Sequence, residues 1–207
     1  MAQGKDLIVL VADQTMEEGF RALLKRHQSL GIHEIAFDVR RSTLGHDPAC
    51  LLKAPGLLAQ DVGRYAYALV VFDREGCGQE NLSRDALERD VEERLSQAGW
   101  PERCAAVVLD PELEVWVWTK SPHVEEILGW SNRRPALSAW LRECGHWPEE
   151  APKPARPKET MEAALREVRK PRSSSLYRQL AEKVSLAGHS EPAFAKLCET
   201  LRKWFPK

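Results

Sequence analysis

The sequence predicts an α/β fold: a three-layer, mostly parallel sheet covered by helices, followed by a helical C-terminal extension. Three observations predict it. Short apolar runs of strand length alternate with stretches of helical periodicity. The leading runs are continuous, as in strands buried on both faces. Beyond Trp130 the pattern turns helical and is broken by prolines.

Residues 6–12 form the first continuous apolar run and the first strand. Met16, Phe20, Leu23 and Leu24 then recur at helical spacing with Glu17, Glu18 and Arg21 opposite, which predicts a helix over 16–25. Residues 35–41 alternate as a second strand, 48–59 are helical in pattern, and 66–72 form a third apolar strand. An amphipathic helix over 85–98 follows, with Ser83 as its cap. Residues 104–109 and 113–119 read as two further strands. Ser121 and Pro122 read as the N-cap and first residue of a helix over 123–128. A short helix over 135–144 leads to residues 147–158, where four prolines predict an extended linker. Helices follow over 159–169, 174–184 and 191–204, the last capped by Ser190. The expected division is an α/β domain over 1–146, the linker over 147–158 and a basic helical region over 159–207.

Composition bounds the function. The chain has 207 residues, 43% hydrophobic and 29% charged, with 12 Gly and 13 Pro, which excludes collagen-like, low-complexity and wholly disordered classes. No apolar run approaches the roughly 18 residues that span a bilayer, and residues 1–6 lack a secretory pattern. Five scattered cysteines without a CxxC pair suit neither a disulfide framework nor a zinc ribbon. A cytoplasmic protein without membrane partners is expected. The net charge of -1 conceals an asymmetry: residues 151–207 hold 13 Lys and Arg against 6 Asp and Glu, leaving 17 against 25 in residues 1–150. The basic region either packs on its own acidic domain or faces an acidic partner such as nucleic acid.

In open α/β sheets ligands sit outside the carboxyl ends of the strands, so the polar residues ending each run are the candidate site. They are acidic. The first strand ends at Asp13, the third runs into Asp73 and Glu75, and the fourth ends at Asp110 with Glu112 and Glu114 beyond. Period-2 alternation over 113–119 would put Asp110, Glu112, Glu114, Trp116 and Trp118 on one face. Carboxylates so placed are hard oxygen ligands for Mg²⁺, which would polarise a phosphoryl group and stabilise charge on its oxygens. The bland alternative is that Asp73 and Glu75 begin a loop, and that Glu112 and Glu114 pair with Arg or Lys. Trp116 and Trp118 suit either base stacking or the core. Arg169, Lys170 and Arg172 adjoin Ser173, Ser174 and Ser175 in a composition suited either to phosphate oxygens or to a helix end, a turn and a cap, and Lys158, Arg166, Lys170 and Arg172 would form the phosphate-binding half of a composite site if the fold brings them to Asp73. Cys77 between two glycines reads as an exposed thiol or a loop residue, and His46, Asp47 and Cys50 match no usual zinc spacing. No GxSxG, GxxxxGKS/T or GxGxxG motif occurs.

The acidic turn at residues 11–17, the acidic pair ending residues 70–75 and the segment 111–118 together resemble the Toprim-type (Rossmannoid) domains. These occur in bacterial proteins related to overcoming-lysogenization-defect nucleases and their defence-associated relatives. The resemblance covers residues 5–130. It implies a Glu after the first strand as acid or base and metal ligand, and an Asp-x-Asp metal pair after a later strand. Asp73 and Glu75 match the second motif, with Glu for its final Asp. At the first, the expected Glu is Ala12, with Asp13 and Glu17 as the nearest substitutes. The whole chain also resembles a small component of a methylation-associated anti-phage defence system, which implies other defence proteins as partners.

Two functions follow as expectations. The first is Mg²⁺-dependent phosphodiester chemistry on nucleic acid: Asp73 and Glu75 hold metal, Asp13 or Glu17 acts as acid or base, Glu114 supports, and Lys158, Lys170 and Arg172 meet phosphate. The second is a non-catalytic adaptor or sensor that keeps a degenerate Toprim-like fold and binds defence partners. Ala12 favours the adaptor, and the Asp73/Glu75 and Glu112/Glu114 pairs favour the enzyme.

Overall fold

The computed structural model describes residues 4–44, 46–186 and 191–207, so the expected cap at Ser190 lies outside the described residues. The elements are β1 (Lys5–Val11), α1 (Gln14–Leu24), α2 (His27–Leu30), β2 (Phe37–Arg41), α3 (His46–Leu58), β3 (Tyr65–Asp73), α4 (Arg84–Gln97) and β4 (Cys104–Leu109). They continue with α5 (Pro122–Leu128), α6 (Leu137–Glu143), α7 (Pro157–Glu167), α8 (Ser174–Lys183) and α9 (Pro192–Trp204). All strands are parallel in the order β2-β1-β3-β4.

The continuous apolar runs are the central strands. Leu7 to Val11 of β1 and Ala68 to Phe72 of β3 are completely buried, which accounts for the absence of alternation. Parallel pairing requires crossovers, and their right-handedness places α1 on one face and α3 and α4 on the other, giving three layers. Ser83 caps α4 as expected, accepting the Ala86 N–H at 3.3 Å. Ser121 stands at the N-cap of α5, but its hydroxyl accepts the Ser185 N–H at 3.4 Å and makes no cap bond.

The fifth strand expected over 113–119 does not form. Residues Leu113–Trp116 make a 3-10 turn, closed by bonds from the Val115 N–H to the Glu112 carbonyl and from the Val117 N–H to the Glu114 carbonyl. The outer edge of β4 is already occupied: Glu92 accepts the Ala106 N–H at 2.9 Å, and Glu88 accepts the Val108 N–H at 3.0 Å. With those donors satisfied by α4, no ladder is left for another strand. The common carboxylate face expected over residues 110–118 is therefore absent. Trp116 instead packs between Phe20 and Phe194, with ring centroids 5.9 and 5.1 Å away. Trp118 lies 5.5 Å from Trp147, so both tryptophans serve the core.

The C-terminal helices share these cores. α8 packs on α1 and α5, and α9 on β4 and α2. Tyr67 of β3 stacks on Trp204 of α9 at 4.6 Å. The Pro-rich segment is not the extended linker expected: turns and bends carry it to Pro157, which opens α7, and it is docked, since the Trp118 Nε1–H donates to the Pro157 carbonyl at 3.0 Å and the Lys153 Nζ to the Val115 carbonyl at 2.7 Å. Among the described residues no helix is long and apolar enough to cross a membrane.

Candidate functional site

Strand order reverses between β1 and β3, because the chain leaves β1 for β2 on one side and returns to β3 on the other. The crevice at their carboxyl ends is where open α/β sheets bind ligands. Three aspartates reach it from three elements. Asp13 follows β1 and caps α1, accepting the Met16 N–H at 2.8 Å. Asp47 lies in the first turn of α3, and its Oδ1 accepts the Asp73 N–H at 2.7 Å. Asp73 ends β3, opposite Leu109 of β4.

Asp73 is the centre of the electrostatics. Its Oδ1 is buried and has no hydrogen-bond partner. Burial, followed by the charges of Asp47, Glu114, Glu112 and Asp13, holds its carboxyl well above the ordinary range. Asp47 is raised as well, by burial against the bond from the Asp73 N–H, with Asp13 adding repulsion. The adjacent base is directed elsewhere: the Arg74 Nε–H donates to Asp110 at 2.9 Å and an Nη–H to the Glu80 carbonyl.

Glu112 and Glu114 form the other wall. Glu112 accepts the Lys158 N–H at 2.8 Å, with the Lys158 Nζ 3.8 Å from its other oxygen. Burial and Glu114 push its carboxyl up to about 7. Glu114 accepts from the Arg172 guanidinium at 2.8 Å and from the Tyr177 hydroxyl. Burial works against the Arg172 cation, but Tyr177 and the carboxylates Glu114 and Glu162 outweigh it and raise its pKa. The same burial, with Glu114 beside it, keeps Tyr177 protonated. The C-terminal helices are thus tied to the acidic centre by two carboxylate clamps.

The predicted residues separate into two groups. Asp13, Asp73 and Glu114 converge, joined by Asp47 and Glu112. Glu75 is exposed; its N–H donates to the Pro111 carbonyl at 2.9 Å, and its charge acts on Glu112. Glu17 pairs with Arg21 at 2.7 Å. Lys170 donates to the Ile127 carbonyl at 2.5 Å, at the C-terminal end of α5. Lys158 and Arg172 are engaged by Glu112 and Glu114, so all three expected phosphate contacts have intramolecular partners. Cys77 is buried rather than exposed, and burial raises its thiol pKa, which removes it as a nucleophile. Asp47 joins the site from the first turn of α3, beyond the end of β2, and its one sequence signal is that it follows a strand's carboxyl end as Asp13 and Asp73 do.

Carboxylate oxygens are the donor type that a hard divalent cation takes, and one here, Asp73 Oδ1, is buried and unbonded. Among the described residues no three His, Cys, Asp or Glu side chains are placed so that they could hold a metal ion. Comparison with known protein families, curated proteins and solved structures finds no match for this chain.

Proposed function

We propose that this chain is a Toprim-like, Mg²⁺-dependent enzyme of phosphodiester chemistry on nucleic acid, acting in the cytoplasm beside other proteins of an anti-phage defence system. The observation that carries the reading is the buried, unbonded Asp73 Oδ1 at the β1/β3 crevice, in the field of four other carboxylates. Such a concentration of negative charge is relieved by a cation, and perturbed carboxylates in a crevice are the usual mark of a working site. Asp73, Asp47 and Asp13 would hold Mg²⁺, which supplies polarisation of the phosphoryl oxygen and stabilises charge on the attacking or leaving oxygen. Glu112, balanced between its protonated and ionised forms near neutrality, is suited to accept a proton from water. Glu114, held by Arg172 and Tyr177, keeps a fixed charge behind it.

The defence context rests on the sequence resemblance. Calorimetry with Mn²⁺ on the wild type and Asp73→Asn, followed by cleavage of plasmid and single-stranded substrates, tests the enzyme. Binding and cutting that vanish together in the variant are expected.

A second reading is a non-catalytic adaptor. Ala12 at the first-motif position favours it, as do the intramolecular partners of the Lys158, Lys170 and Arg172 side chains. Absence of both metal binding and cleavage in the wild type would select it.

A further inference from the structure

A broad groove runs along β2 from the N-terminal turn of α1, lined by Asp13, Thr15, Glu17, Arg41, Thr43 and His46 among others, and Asp13 is the residue it shares with the acidic crevice. Most charges along it are already matched. Arg21 is held by Glu17 and the Val39 carbonyl, Arg40 by Asp61 at 2.6 Å, and Arg64 lies 3.7 Å from the same carboxylate. Asp38 is held by Lys5 at 2.6 Å and by the Tyr65 hydroxyl. Among the described residues, Arg41 and His46 are the basic side chains of the groove in no ion pair. Both residues are exposed, as is Thr43 between them in sequence.

The groove and the acidic centre are contiguous. Asp13 lines the groove and acts on both Asp73 and Asp47, while His46 adjoins Asp47 and lowers its pKa. An anion approaching five clustered carboxylates meets repulsion unless cations flank the approach. Arg41 presents a guanidinium fork, which matches the geometry of phosphate oxygens, and Thr43 offers a hydroxyl beside it.

We infer that this groove is the phosphate-binding half of the site, and that Arg41, with Thr43 and His46, holds the phosphodiester backbone of a nucleic-acid strand beside Asp73. The inference deepens the proposed function and rests on it for the identity of the bound strand. It relocates phosphate recognition from the C-terminal region to the end of β2, where the Arg41 guanidinium stands outside any ion pair.

The test is fluorescence anisotropy with a labelled single-stranded oligodeoxynucleotide, and with RNA of the same sequence, in Ca²⁺ to prevent cutting. Mn²⁺ calorimetry runs on the same proteins, and thermal melts check that these exposed substitutions leave the fold intact. Arg41→Gln/His46→Gln is expected to weaken binding about tenfold and to reduce the salt slope by about one for the lost phosphate contact. Arg89→Gln, an exposed change on α4, should leave binding unchanged. Mn²⁺ affinity should survive Arg41→Gln/His46→Gln and be lost in Asp73→Asn. A wild type that binds neither oligonucleotide, or a double variant with unaltered affinity and slope, overturns the inference. Oligonucleotide loss in the double variant of a protein that binds no Mn²⁺ would uphold the groove and overturn the metal reading.

Discussion

Asp47 Oδ1 accepts the backbone N–H of Asp73 at 2.7 Å, fixing the first turn of α3 to the last residue of β3. The bond fills one oxygen of Asp47 and sets the Asp73 carboxylate beside it. Two carboxylates from distant segments are therefore neighbours by backbone architecture. Their repulsion is built into the fold, and its relief by protonation or by a cation is measurable.

Replacing Asp73 by Asn removes a carboxyl whose ionisation burial and the neighbouring acids oppose, and supplies an amide donor to those acids. In a metal-free buffer the melting temperature should rise, by roughly 2–4 °C for each kcal/mol relieved in a chain of this size. The stabilisation that the wild type gains from added Mn²⁺ should disappear. A lower melting temperature in the variant would mean that the carboxylate already has a compensating partner.

Stability should depend on pH in a stated direction. Asp73, Asp47 and Glu112 have raised pKa values in the folded chain, so folding favours their protonated forms. The stability they contribute is present below the unfolded carboxyl range, about 4, and is lost as pH rises through the folded values, about 7 for Glu112. Asp38, whose pKa is lowered, acts oppositely and only at acidic pH. With chelator present, melting temperature should therefore fall between pH 5 and pH 8. Glu112→Gln, which still accepts the Lys158 N–H, should flatten the fall, and Mg²⁺ should oppose it.

The Glu114 clamp should matter to folding. Arg172→Ala leaves a buried carboxylate with only Tyr177 beside it and should cost about 2–4 kcal/mol, below the full value for a buried pair because a third of the Arg172 side chain is accessible. Glu114→Gln in the same background should recover part of the loss. Urea midpoints of the four proteins in this cycle give the coupling, and strict additivity would exclude the clamp.

The capped edge of β4 yields a separate test. Glu88 accepts the Val108 N–H at 3.0 Å and meets Arg84 and Lys196 at 3.0 and 3.1 Å. Glu88→Ala strands a buried donor and takes one of two carboxylates from Arg84 and Lys196, which keep Asp85 and Glu92, and should cost about 1–3 kcal/mol while opening an edge to association. Glu88→Gln keeps the acceptor and should lie between. Urea unfolding and gel filtration read both effects.

The sequence by itself determined the alternation of strands and helices, because continuous apolar runs and helical periodicity are local patterns that burial on a parallel sheet requires. It also placed acids at the ends of β1 and β3, since residues adjoining a strand must follow it in space. Strand order was decided by tertiary structure. So was the conversion of residues 113–116 from an expected strand to a turn: their local alternation suits a strand, but Glu88 and Glu92 take the edge donors such a strand would need. The partners of Lys158, Lys170 and Arg172 were likewise invisible, because ion pairs and hydrogen bonds across more than forty residues depend on which helices meet. Asp47 entered the site, and Glu75 left its expected pairing with Asp73, for the same reason. Chain position fixes which strand a charge follows, while packing fixes which charges meet and which stay in solvent.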